Sequence, residues 1–315
     1  MGNVASITET NGQHMRSIES SLLGMRLSAV IGWLMIVAGP ILLVAVWPEN
    51  LPDWSLMWTA AFTVYSGAKL LTWGSARGTF PVRRQLAYLL AWPGMDAPAF
   101  LGRPDRVKHT PRPIEWVFAS AKLLLGFLFL VFATRYIPAQ YPLAISWVGM
   151  AGIVFVLHFG TFHLLSCAWR SAGIDAKPLM NWPILSQSVS EYWGRRWNRA
   201  FRDLAYRFLF QPLTSRFGAR WGLAAGFLFS GIVHDVVISL PAGGGYGLPT
   251  LFFAIQGAAM LFERSSFGKL LGLEKGWRGR VFTALAILGP APLLFHPWFL
   301  GRIVLPFIEA IGTML

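Results

Sequence analysis

The chain is poor in cysteine, in acidic residues and in charge of either sign. A single cysteine among 315 residues, Cys167, excludes an intramolecular disulfide and a cysteine-built metal cluster. Set inside an apolar run, it reads as a small buried hydrophobe. Only 13% of the residues are charged while 55% are hydrophobic. A water-soluble fold of this length cannot hide that much apolar surface, so a soluble enzyme is excluded. Several catalytic patterns are missing as well. There is no G-x-S-x-G elbow, which removes a hydrolase-like serine relay. No H-x-x-x-x-D or H-H-x-x-x-D-G pattern of soluble acyltransferases occurs. The glycine patterns of nucleotide and dinucleotide sites are also absent, which argues against a nucleotide-driven pump.

What is present is oil in long runs. Crossing a hydrocarbon core of about 30 Å takes about 20 helical residues. The runs 27–46, 55–73, 114–134, 143–168, 221–240, 248–263 and 281–298 qualify, the sixth being short. They predict an all-α, polytopic bundle of about seven to eight spans. The net charge of +13 follows topology rather than nucleic-acid binding. Lys and Arg concentrate before the first run and in 77–112, 170–220 and 264–280, all on one side, which the positive-inside rule makes the cytoplasm. Lys69 and Lys122 fall inside runs and are expected to snorkel. Residues 1–26 are expected to be a cytoplasmic segment, with 27–315 one integral membrane domain carrying cytoplasmic insertions at 74–113 and 169–220. The opening fits a myristoylation pattern at Gly2 and Ser6, a cheap match. In the first insertion, "RQLAYLLAWPGMDAPAFL" is too short to span and is placed at the interface, with Tyr88 and Trp92 at headgroup level.

The second insertion holds "SVSEYWGRRWNRAFRDLAYRFLF". Ser188 with Glu191 forms a capping-box pattern, predicting a helix over 189–210. Trp193, Trp197, Ala200, Leu204 and Phe208 then make an apolar stripe, while Glu191, Arg195, Asn198 and Arg202 share another face. Lipid anchoring explains such a helix as well as any substrate does.

Of six histidines, His14 and His109 fall in polar segments, and His296 is placed among headgroups. His158 and His163 are five apart, off the i, i+4 spacing of paired ligands, and are read as packed. No metal site is predicted. His234 stands out in "GFLFSGIVHDVVISL", roughly 20 Å into a run that starts on the cytoplasmic side. An ionisable residue at that depth is costly and is by default a functional candidate. Desolvation favours the neutral imidazole that a general base requires.

The segment "YWGRRWN", then "SGIVHD" after a fixed interval, resembles the membrane-bound O-acyltransferase family, in its wax synthase-like branch; "LLAWPGMD" is similar to it too. The resemblance implies transfer of a fatty acyl group from acyl-CoA to a lipid hydroxyl, most simply a long-chain alcohol, with a sterol or diacylglycerol as alternatives. It places the family's histidine and asparagine on His234 and Asn198. It implies no cofactor besides acyl-CoA as co-substrate, and membrane lipids rather than nucleic acid as surroundings, in a bacterial inner membrane or the endoplasmic reticulum. Arg195, Arg196, Arg199 and Arg202 are the expected phosphate contacts. Tyr192, Trp193 and Trp197 complete the expected substrate-binding set. The competing class is a transporter using His234, Asp235, Lys69 and Lys122 as a polar path.

Overall fold

The computed structural model describes residues 27–102 and 110–314. The Gly2 and Ser6 pattern, His14 and His109 lie outside the described residues, as does segment 1–26. The described residues are helical, with no strand among them.

Three helices are long and apolar enough to cross a membrane: Pro113–Tyr136, Pro142–Ser171 and Ala219–Ala242. They coincide with runs that contain no interrupting proline or glycine pair. Two further spans exist if bent pairs are counted, Leu27–Val37 with Gly39–Val46 at 49° and Gly276–Leu294 with Pro297–Gly312 at 58°. The bends sit beside Pro40 and Pro297. Proline lacks the N–H and crowds the preceding turn, so the helix must kink there. The Leu248–Glu263 helix has 16 residues and Asp53–Gly74 has 22. The first is too short to pass as a span by itself, and the second is not apolar enough. Length and composition therefore support three to five spans, where the run count predicts seven to eight.

Close crossings are made at glycine. A Cβ on Gly32 would lie 2.7 Å from the Gly67 carbonyl oxygen, and one on Gly67 would lie 2.6 Å from that of Gly32. Gly126 and Gly152 make the same reciprocal approach between Pro113–Tyr136 and Pro142–Ser171. Small residues let backbones meet, which matters where lipid supplies no hydrophobic drive for association.

One buried cluster corrects the interfacial placement of the first insertion. Tyr88 is 0% exposed and Trp92 3%, packed with Phe100, Leu71, Leu179 and Leu204. The cause is Lys69, which is 2% exposed and does not snorkel. Its Nζ donates to the carbonyls of Trp92 and Gly94, both at 2.9 Å, and lies 3.1 Å from the Tyr88 ring centroid. That clasp draws the W-P-G loop inward. Val82, Leu86 and Leu90 instead form the exposed apolar edge of the Val82–Ala91 helix.

A second correction concerns His296, which is fully buried rather than at headgroup level. Its Nδ1 accepts from the Phe299 N–H at 3.2 Å, and its Nε2 meets Ser239 Oγ at 3.1 Å. Those bonds fix it as a helix cap packed against the end of Ala219–Ala242.

Candidate active site

The expected helix over 189–210 does not run through. It starts as predicted, with Ser188 Oγ accepting from the Glu191 N–H at 3.0 Å. Glu191 turns back to the Gln187 N–H at 2.7 Å, one residue earlier than an ideal capping box. The coil over 192–196 is wide, and then it breaks. Trp197 is extended, and Asn198 adopts the left-handed conformation at φ 37° and ψ 64°. A new helix, Arg199–Ala205, begins with Asn198 as its N-cap, the Oδ1 accepting from the Phe201 N–H at 3.2 Å. Asparagine is among the few residues that tolerate this conformation while also capping.

The break is held by the segment before it. The Asn181 N–H donates to the Arg196 carbonyl at 2.8 Å, and the Arg199 N–H to the Leu179 carbonyl at 3.0 Å. The Asn198 N–H meets Met180 Sδ at 3.2 Å. Backbone groups freed from the helical ladder thus find partners, as buried ones must. The stripe drawn for a continuous helix consequently splits. Ala200 and Leu204 enter the core around Tyr88, whereas Trp193 packs on Phe227 and Phe253.

Asn198 and His234 line the same cavity, of ≈ 360 Å³. Its walls are largely aromatic and aliphatic: Trp193, Trp197, Phe201, Phe210, Leu223, Phe227, Phe253 and Met260. His234 is the last residue of the regular Ala219–His234 helix, and the next turn, Asp235–Ser239, widens to π geometry. Such bulges recur at functional sites. His234 Nδ1 lies 2.6 Å from the Ser230 carbonyl, which can only accept, so the proton belongs on Nδ1. Nε2 is left with its lone pair. The ring is fixed by Phe253, with centroids 4.5 Å apart, and by Phe201. On Asn198, the Oδ1 is engaged by the cap, so the side-chain NH₂ is the group left to donate.

The four expected arginines separate. Arg202 lines the cavity, with its Nε buried and unpartnered and an Nη2 2.5 Å from Asp203. Arg195 is exposed and Arg199 half-buried, and neither lines the cavity. Arg196 is tied to Glu191 at 2.7 Å and to the carbonyls of Asn181 and Trp182, so it braces the break. Burial works against ionisation of Glu191, but the Gln187 N–H and Arg196 outweigh it and hold the carboxyl below its ordinary range. Burial has the opposite outcome at Asp203, whose carboxyl stays above its ordinary range despite Arg202. Tyr192 lies outside the lining and stacks on Trp197 at 5.5 Å, its hydroxyl pushed up by burial.

Three residues escape sequence reasoning. Arg264 lines the cavity, and its Nε donates to Ser190 Oγ at 2.8 Å. Gln256 accepts from Trp193 Nε1 at 3.3 Å and fixes that ring. Glu263, 1% exposed, accepts from the N–H groups of Val189 at 2.6 Å and Ser190 at 3.0 Å. All three are contacts across more than sixty residues, invisible to local periodicity.

The parts of the polar path do not assemble. Asp235 turns away from the cavity: its carboxylate accepts from Gly247 N–H at 2.7 Å, Ser239 Oγ and Thr250 N–H at 3.0 Å, and the Thr250 hydroxyl. Lys69 is held by the W-P-G loop, and Lys122 lies 3.4 Å from His163 Nδ1. His163, expected to be merely packed, also contacts Glu115 at 3.0 Å, and Glu115 pairs with Arg170. The ligand atoms of Glu115, His163 and Cys167 come within 4.8 Å of one another, but the carboxylate is already taken by Arg170 and His163. His158 stacks on Trp197 with its Nδ1 buried and unpartnered, outside the cavity lining.

Residues 176–255 match a family described as "Membrane bound O-acyl transferase family". That interval contains both Asn198 and His234. Relatives are plant proteins. A "Probable long-chain-alcohol O-fatty-acyltransferase 6" of Arabidopsis thaliana is 25% identical over 42% of this chain and 39% of its own length. The "Long-chain-alcohol O-fatty-acyltransferase" of Simmondsia chinensis is 32% identical over 27% of this chain and 28% of its own. A "Probable long-chain-alcohol O-fatty-acyltransferase 1" of Arabidopsis thaliana is 30% identical over 49% and 47%. The chain thus matches less than half the length of these relatives. The resemblance read from the motifs, to the wax synthase-like branch, is borne out; a bacterial setting draws no support from plant relatives.

Proposed function

We propose that the chain is a membrane-embedded O-acyltransferase that moves a fatty acyl group from acyl-CoA to the hydroxyl of a long-chain alcohol, giving a wax ester. One observation carries the reading: an imidazole with a free Nε2 and a carboxamide with a free NH₂ face one apolar cavity. A general base, an oxyanion donor and a greasy enclosure are what ester formation from a thioester needs.

In this mechanism His234 Nε2 accepts the alcohol proton as the alcohol oxygen attacks the thioester carbon. The new C–O bond gives a tetrahedral oxyanion, to which Asn198 donates. Collapse breaks the C–S bond, and the proton held on His234 passes to the departing sulfur. A general base of this kind supplies roughly 10²- to 10⁴-fold in rate. The leaving thiolate belongs to a thiol of pKa about 8.5, so it departs without a strong acid. Arg202 and Arg264 are the cations at the cavity and the ones best placed for donor phosphates. The aromatic walls suit the acyl and alkyl chains and keep competing water out.

The direct trial is purified protein in detergent with labelled acyl-CoA and a panel of fatty alcohols, a sterol and diacylglycerol. New ester from the fatty alcohol is the expected result, and a preference for another acceptor would move the assignment to it. His234→Ala in a folded sample should lose at least about 10²-fold in turnover. Full activity in that variant refutes the mechanism. Turnover without a sealed compartment also separates an enzyme from a transporter, which makes no ester.

A further inference from the structure

Glu263 plays no part in the chemistry above, yet it is among the most buried ionisable groups of the protein. It is a carboxylate at 1% exposure, with no cation within ion-pair distance among the described residues. Its oxygens accept instead from the N–H groups of Val189 and Ser190, the first two of the coil that leads to Asn198. Ser188 serves the third. The donors that a helix start leaves open are therefore closed by one remote carboxylate and one local hydroxyl.

Glu263 ends the Leu248–Glu263 helix, and the other end of that helix is held in a similar way. There Asp235, the residue after His234, accepts from the Gly247 and Thr250 N–H groups. A helix of 16 residues, about 24 Å long, is thus tied by carboxylate to the His234 element at its start and to the Asn198 element at its end. Between the ties, Phe253 lies 4.5 Å from the His234 ring and Gln256 bonds Trp193.

We propose that this helix is a strut that sets the spacing between His234 and Asn198, and that Glu263 is a positioning residue acting on Asn198 through the 189–196 coil. Resting on the function proposed above, the inference adds a residue that touches neither substrate nor reacting atoms. Misplacing an oxyanion donor by a fraction of an ångström lowers turnover without changing how the donor substrate binds. The signature is a fall in kcat at constant KM for acyl-CoA, and it should depend on Asn198 being present.

The test is a double-mutant cycle of Glu263→Gln and Asn198→Gly in the full-length chain, with hydrogen exchange measured alongside. E263Q keeps the shape but offers an NH₂ where the coil offers N–H. We expect kcat to fall roughly 10- to 100-fold with donor KM within about twofold. On the N198G background the same change should cost less than about threefold. Equal costs on both backgrounds, or an unchanged kcat, overturn the proposal. Should E263Q fail to fold, Glu263→Asp retracts the carboxylate by one methylene and is read by the same cycle. In exchange, amides of 187–198 should open faster in the variant while 219–242 stay unchanged, and unchanged protection of 187–198 refutes the tie. If the wild type transfers no acyl group, the functional reading falls, and the exchange arm alone decides the strut.

Discussion

Substituting Asn198 separates two jobs that this residue performs at once, and the structure gives each a size. Its backbone is left-handed, its Oδ1 caps the Arg199–Ala205 helix, and its NH₂ is the group left to donate. Asn198→Ala loses the cap, about 1 kcal/mol, and leaves a Cβ in left-handed backbone without the polar side chain that eases that conformation, up to about 1–2 kcal/mol more. Asn198→Gly relieves the strain and weakens the cap by a few tenths of a kcal/mol. Asn198→Asp keeps the cap acceptor, tolerates the conformation and adds a favourable charge at the helix start, worth about 0.3–1 kcal/mol. Thermal stability should therefore run Asp, then Gly, then Ala, with only Ala clearly below wild type. Activity should ignore that order. All three lack the donor N–H, so each should lose roughly 10²–10³ in kcat, about 3–4 kcal/mol of transition-state stabilisation. Asp should be worst, because its carboxylate faces the oxyanion. The assay pairs unfolding midpoints in detergent with initial rates under saturating acyl-CoA and alcohol. If Asn198→Asp turns over like wild type, the carboxamide is not an oxyanion donor and the residue serves the break alone. If rates track stability across the three, the same conclusion holds.

The remaining predictions concern charge. Arg202→Glu and Arg264→Glu should raise the KM for acyl-CoA at least tenfold, while Arg195→Glu leaves it unchanged; an unchanged KM in the first two returns them to lipid contact. Arg196→Ala should lower the unfolding midpoint instead, since it removes the ties to Glu191, Asn181 and Trp182. Glu191 and Asp203 should respond to pH with opposite signs. The Glu191 carboxyl is held low in the fold, so it stabilises above the unfolded value, about 4.3, and that contribution disappears as pH falls through the lower folded value. Glu191→Gln should lose stability at neutral pH and match wild type in acid. The Asp203 carboxyl is held high, so its ionisation disfavours the fold as pH rises through the folded value. Asp203→Asn should gain on wild type as pH rises above the unfolded carboxyl value, about 3.9, and through the higher folded one. Parallel responses in midpoint-versus-pH curves would contradict both assignments. Lys69→Met, nearly isosteric and fully buried, should destabilise by about 1–3 kcal/mol for each carbonyl it strands at Trp92 and Gly94. No change would mean that water replaces the ammonium.

The readable parts of the sequence were those whose physics is local. The runs 114–134, 143–168 and 221–240 are continuous, and each became a long apolar helix. Depth along one run was enough to single out His234, which lines the cavity. The unreadable parts depend on distant partners. Tyr88 and Trp92 have the composition of interface anchors, and only the clasp by Lys69, 23 residues before Trp92, takes them inside. His296 beside Pro297 looks like a headgroup contact until Ser239 is brought to it. The break at Trp197 and Asn198 carries no proline or glycine. Its one local sign is asparagine itself, a residue suited to left-handed backbone, and its support comes from 179–181.

That break is what turns a membrane-surface helix into part of a cavity. In a continuous helix, Asn198 would share a face with Glu191, Arg195 and Arg202, and its carboxamide would compete with charged neighbours. Extending Trp197 and reversing the hand at Asn198 restarts the helix at Arg199, so the carboxamide oxygen is consumed by the new cap and the NH₂ is left over. His234 shows the same economy in reverse: the Ser230 carbonyl takes Nδ1 and leaves Nε2. In each case an ordinary backbone bond fixes which end of an ambivalent side chain remains, a donor on one wall and an acceptor on the other. Three ionisable groups of the polar path and the strut are bound to fixed backbone and cannot trade places with them. Asp235 and Glu263 are held by amides and Lys69 by carbonyls. A proton path requires groups that exchange partners, whereas an acyl-transfer site requires one base and one donor that do not move. The bonding around this cavity is of the kind that the proposed acyl transfer calls for.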